Sequence, residues 1–142
     1  MNVFLDANIC LDLLDTTRPT SAASVAWYMA RKDDVRLRFY FSGDFITTIY
    51  YILTERRAID GVTVVRAIDA LSMEVIPFYL NQADFVAGKN SFYGEMFGDF
   101  EDLMILHSAQ RAECDLFLTQ DRKLLGLGTF GVMRIGDIGT PL

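Results

Sequence analysis

Short apolar runs that stop at an acid constrain this chain most. "NVFL" (residues 2–5) is followed at once by Asp6, and "DLFLT" (residues 115–119) is followed two residues later by Asp121. Runs of this length suit strands buried on both faces and are too short for helices. "RLRFYF", "MEVIPFY" and "VMRIG" read as further strands. Helical segments separate them, and that alternation predicts an α/β fold, a three-layer α/β/α sandwich around a mainly parallel central sheet. Such sheets bind ligands beyond the carboxyl ends of their strands, so Asp6 and Asp121 are expected at one edge.

The helices follow from apolar spacing. "ANICLDLLDTT" has Ile9, Leu13 and Leu14 as its stripe. "TSAASVAWYMARK", with Pro19 near its start, groups Ala22, Val25, Ala26 and Met29 on one face. "GDFITTIYYILTERR" carries Phe45, Ile46, Ile49, Ile52 and Leu53 at helical spacing, and "VTVVRAIDALS" follows the break at Gly61. "NQADFVAGK" is a short helix, "SFYGEMFG" with its two glycines a loop, residues 99–112 a helix and residues 121–125 a helical turn.

A chain of 142 residues, 51% hydrophobic and 13% aromatic, is expected to fold as one domain spanning residues 1–142. Its net charge of −6 argues against a broad positive surface for nucleic acid. A local basic groove remains open to Arg31, Lys32, Arg36, Arg38, Arg56 and Arg57. The opening "MNVFLDANIC" puts an acid where a secretory leader needs an apolar centre, and no run is long enough to cross a membrane. The expectation is a cytoplasmic protein without a membrane partner, with Cys10 and Cys114 as buried free thiols.

"GDFEDLMILHSA" crowds Asp99, Glu101 and Asp102 at the start of a helix. Asp99 and Asp102, three residues apart, can share a face, while Glu101 is expected to point into water. A helix cap explains Asp99 and Asp102 by themselves. Asp6 changes the weighting, because carboxylates gathered at a partly buried strand end repel unless protonated or neutralised by a cation. Mg2+ or Mn2+ suits oxygen donors; one histidine and no paired cysteines disfavour zinc. An ion of this kind can activate water and clamp a phosphoryl oxygen.

Four spaced features then resemble the PIN-domain nucleases, which include the VapC-type toxins of bacterial toxin–antitoxin pairs. "FLDAN" resembles their opening strand and aspartate, and "FSGDFITTIYY" the strand-to-helix segment beginning at Ser42. "DFEDLMILHSA" resembles the metal-binding helix, with Asp102 as its aspartate and a "DFED" pattern found in one subgroup; "LFLTQD" resembles the last motif, a threonine (Thr119) before an acid (Asp121). The resemblance implies a metal-dependent endoribonuclease. Asp6 and Asp102 would hold Mg2+ or Mn2+, Asp99 and Asp121 would bind directly or through water, and Asn8 and Thr119 would orient ligands or water. It also implies an RNA substrate, an antitoxin partner and a homodimer. One position departs: the family's glutamate six residues after the serine is Thr48 here. Asp99 is the expected substitute.

Other readings compete. A phosphotransferase with Asp6 as nucleophile would want a second aspartate two residues on, where this chain has Asn8, and a receiver domain would want paired acids after its first strand. A PIN-like domain without its glutamate could instead be an RNA- or protein-binding module. His107 reads as structural, Tyr50 and Tyr51 as core, and the Arg31–Lys32 and Arg56–Arg57 pairs as solvated charge. Phe92, Tyr93, Met96 and Phe97 either line a partner surface or fold back onto the domain.

Overall fold

In a computed structural model describing residues 1–95 and 98–142, six strands form one sheet. They are β1 (Asn2–Leu5), β2 (Arg38–Ser42), β3 (Ile76–Phe78), β4 (Leu116–Leu118), β5 (Thr129–Phe130) and β6 (Met133–Gly136). The spatial order is β3-β2-β1-β4-β6-β5; every pair is parallel except β5 with β6. The helices are α1 (Ala7–Leu14), α2 (Ser21–Met29), α3 (Ile46–Tyr51), α4 (Gly61–Glu74), α5 (Gln82–Tyr93), α6 (Phe100–Arg111) and α7 (Arg122–Leu125). A 3-10 turn over Gly43–Phe45 leads into α3, and a π turn over Ile52–Arg56 extends it.

Side chains alternate across the sheet, and each face is covered by helices. Val3, Leu5, Phe39, Phe41, Leu116 and Leu118 pack with Ile9, Trp27, Ile49, Leu53, Val64 and Ile68 from α1 to α4 and the π turn. Phe4, Phe117 and Ile135 point the other way, onto Leu103, Leu106 and Ala109 of α6 and Leu124 of α7. Phe4 and Phe117 are register partners, stacked with centroids 5.4 Å apart. Burial on both faces explains why the strands read as unbroken apolar runs. It also fixes β1 at the centre, with chain crossovers leaving on either side. Among the described residues, no helix is long and apolar enough to cross a membrane.

Several expectations needed correction. On α2 the buried residues are Ser21, Ser24, Trp27 and Tyr28, whereas Ala22, Ala26 and Met29 are exposed. The inward serines serve a buried acid described below, a demand that apolar spacing does not register. On α1, Cys10, Leu11 and Asp12 join Ile9 in the interior, and Leu13 and Leu14 are only partly covered.

The expected loop over "SFYGEMFG" is helical through Tyr93. Asn81 and Asp84 form a reciprocal capping box that starts α5, and Gly88 continues it instead of breaking it. A Cβ on Gly88 would stand 2.9 Å from the Met104 side chain and 3.3 Å from its backbone, so the glycine permits close packing of α5 on α6. Phe92 folds against Phe100, centroids 5.8 Å apart, while Tyr93 stays exposed; Met96 and Phe97 lie outside the described residues. Tyr50 and Tyr51 are also exposed, because α3 turns Ile49 inward and they fall off that stripe. The two-residue β5 had no periodic signal to announce it.

Candidate active site

Asp6 leaves the carboxyl end of β1 and caps α1. Its Oδ1 accepts the Ala7 N–H at 2.8 Å, and its Oδ2 accepts the Thr119 hydroxyl at 2.6 Å. Thr119 stands just past the neighbouring β4, fully buried, and its Oγ1 in turn accepts the Asp121 N–H at 3.0 Å. Asp121 then caps α7 through the Lys123 N–H at 2.8 Å. Because β1 and β4 are parallel neighbours, acids from opposite ends of the chain meet at one rim.

The third contribution comes from α6. Asp99 is an exposed N-cap whose Oδ1 accepts the Asp102 N–H at 3.1 Å. The capping reading of Asp99 therefore holds, and the carboxylate also suits the positive end of the helix dipole. Asp102 sits in the first turn, partly buried. Its carboxyl is pushed up to about 7, first by burial and then by repulsion from Asp99, Asp6, Asp121 and Glu101. Asp6 is also raised by burial, opposed by the hydrogen bonds from Thr119 and Ala7 and reinforced by Asp121. The acids singled out in the sequence thus act on one another electrostatically.

A cavity of about 310 Å³ opens among Asp6, Asn8, Ser42, Ile49, Glu101 and Asp102. Asp99, Thr119 and Asp121 are outside its wall. Glu101 was expected in water alone; it is exposed, yet it walls the cavity beside Asp102. Among the described residues, Asn8 and Ser42 of its wall each keep a buried side-chain oxygen, Oδ1 and Oγ, without a hydrogen-bond partner. Thr48 is exposed and takes no part in the wall, although its neighbour Ile49 does. Asp44 is engaged elsewhere, accepting the Leu80 N–H at 2.7 Å.

Among the described residues, no three acidic, histidine or cysteine side chains stand close enough to share one ion. Magnesium is ordinarily held by one or two carboxylates with waters completing its shell, so a three-carboxylate cage is not required. The donor set is oxygen only, its acids repel, and two oxygens await partners. These features fit a hard divalent cation. Sulfur is unsuited: burial, then Asp6, pushes the Cys10 thiol far up and keeps it protonated. His107 is committed between α5 and α6, with Nε2 2.7 Å from Ser91 Oγ and its ring edge-on to Phe130, as a structural role requires.

A second acid, unforeseen in the sequence, lies behind the rim. Asp12 is fully buried on α1 and receives side-chain hydrogen bonds from Arg18, Thr20, Ser24 and Gln120. Its donors come from α2, the loop before it and the segment after β4, so no local spacing rule could have assembled them.

The fold has solved counterparts. The VapC20 toxin of Mycobacterium tuberculosis, described as cleaving the sarcin–ricin loop, superposes with a TM-score of 0.70 at 14% identity, covering 93% of this chain and 98% of that one. VapBC-1 of nontypeable Haemophilus influenzae gives 0.65 at 20% identity, covering 99% and 100%. VapBC2 of Rickettsia felis, solved with a fragment of promoter DNA, gives 0.64 at 11%, covering 96% and 98%. No curated protein matches by sequence. The family model for the PIN domain matches residues 2–123, a span that runs from β1 through the start of α7 and includes all the acids above, and the chain belongs to the PIN-domain family.

Proposed function

We propose that this protein is a divalent-metal-dependent endoribonuclease that hydrolyses RNA phosphodiester bonds, acting as the toxin of a toxin–antitoxin pair. The observation that carries this reading is that Asp6 from β1 and Asp102 from α6 wall one cavity, while Thr119 links Asp6 to the segment that carries Asp121. Asp6 and Asp102 would hold Mg2+ or Mn2+, and Asp99 and Asp121, outside the cavity wall, would act on the ion through water. The bound ion supplies a nucleophilic water at neutral pH and charge stabilisation on the phosphate oxygens. Thr119 orients Asp6 by occupying its Oδ2, and Asn8 would orient ligand or water from the cavity wall. Ile49 and Ile105 make the cavity partly apolar, which strengthens the electrostatic interactions inside it.

Partner binding is part of the same proposal. An apolar groove of about 340 Å³ among α1, α2 and α4, lined by Leu13, Val25, Met29, Ala67 and Leu71, suits an antitoxin's apolar segment. The assembly is a cytoplasmic homodimer on this reading.

The test is cleavage of mixed RNA with magnesium, manganese or chelator, beside Asp102→Asn. Cleavage that needs the metal and is lost in the variant supports the reading. Thr48, exposed where the resemblance led us to expect a glutamate, favours the binding-module alternative. That alternative gains if the wild type cleaves nothing with either metal yet still binds RNA or a partner.

A further inference from the structure

The best-satisfied buried carboxylate in the molecule stands outside the cavity, yet its contacts lead back to it. Asp12 Oδ1 accepts from Arg18 Nε at 2.7 Å and Thr20 Oγ1 at 2.7 Å. Its Oδ2 accepts from Ser24 Oγ at 2.6 Å and from Gln120 Nε2, and its carbonyl takes the Ser21 hydroxyl at 2.6 Å. Burial opposes its charge, but the donors Ser24, Arg18, Thr20 and Gln120 hold the carboxyl below its usual range.

Gln120 is the residue between Thr119 and Asp121. Helix α1 is therefore tied to the segment after β4 at two points. At its first end, the cap carboxylate of Asp6 takes the Thr119 hydroxyl; about 9 Å further along the axis, Asp12 takes the Gln120 side chain. The second tie matters because Gln120 directly precedes Asp121. The sheet holds the main chain as far as Thr119, whose N–H donates to the Gly136 carbonyl at 2.9 Å. The Gln120 side chain adds an anchor on α1 one residue further on, next to the acid itself.

We infer that Asp12, acting through Gln120, is a positioning residue: it locks the Thr119–Asp121 segment against α1 and so sets where Asp121 stands relative to Asp6. The role at the metal rests on the acid rim being a divalent-cation site; the lock itself does not. Removing a group hydrogen-bonded to a metal ligand, as Thr119 is to Asp6, typically weakens metal binding about 10- to 100-fold, and the lock acts one contact further out, at the low end of that range.

Gln120→Met keeps the side-chain length and removes the donor. Thr20→Val is the control, because it deletes another partner of Asp12 on Oδ1 and leaves the Gln120 contact intact. Calorimetric titration with manganese, thermal melting and amide exchange are measured on both variants and on Asp102→Asn. Gln120→Met is expected to weaken manganese binding at least about tenfold and to speed exchange of the Asp121 amide. Thr20→Val is expected to lower the melting temperature with manganese affinity within about twofold of wild type. Unchanged Asp121 exchange in Gln120→Met overturns the lock. Equal losses of affinity in Gln120→Met and Thr20→Val reduce Asp12 to a stability role and overturn the positioning inference. If Asp121 exchange rises but the wild type binds no manganese, or Asp102→Asn binds it unchanged, the lock stands and the metal-site reading fails.

Discussion

Asp12 and Asp102 are acids taken out of water in opposite circumstances. Asp12 is sealed in, with a donor on every side, and its carboxyl is held below the ordinary value. Asp102 is only partly buried, meets four like charges and is pushed up to about 7. Burial alone therefore does not decide what a carboxylate does; its partners do. The satisfied acid stabilises the fold, and the frustrated one is where a cation would lower the free energy most.

The comparison can be broken at several points. The largest expected effect is on stability: Asp12→Ala leaves Arg18 and three neutral donors without their acceptor and should cost about 3 kcal/mol in denaturant unfolding. A loss under about 1 kcal/mol would mean that the network is replaced by water. Next, Asp102→Asn should reduce metal-dependent RNA cleavage at least about 100-fold without unfolding the protein, checked by circular dichroism beside the cleavage assay.

The two acids should also carry opposite pH signatures in metal-free protein. Asp102 has a folded value of about 7 against an ordinary 3.8, so folding favours its protonated form, and its contribution to stability falls as pH rises from about 4 to 7. Asp102→Asn should therefore melt about 3 °C above wild type at pH 8, with the gap closing near pH 4. Asp12 lies below 3.8; its stabilisation is complete above about pH 4 and is lost as pH falls through its folded value. An Asp102→Asn advantage that grew on acidification would reverse the assignment. Smallest of all, Ser91→Ala removes one hydrogen bond to His107 and should cost about 1 kcal/mol, with cleavage unaffected.

What could be read in advance divides along the same line. β1 and β4 were legible because burial on both faces leaves no choice but apolar residues, and the acids after them were legible because a parallel sheet gathers its strand ends. Asp99 was legible as a helix cap, whereas helical spacing put it on one face with Asp102, and only Asp102 lines the cavity. Illegible were the features that depend on satisfaction across the fold. Ser21 and Ser24 face inward to serve Asp12, which reverses the expected face of α2. Gly88 was legible as a helical position but not as a contact surface, because only the opposing Met104 reveals the need for a missing side chain. Glu101 could be assigned to water from its helical angle alone; the cavity beside it exists only once α6 is docked on the sheet.

The strand order has a consequence for synthesis. β1 lies between β2 and β4, so Asp6 emerges from the ribosome long before Thr119, the residue that holds it. A nascent chain can pair β1 with β2 early, but the acid rim stays incomplete until β4 and the segment after it are free to fold. However early β1 and β2 pair, the hydrogen bond that fixes Asp6 at the rim waits for β4.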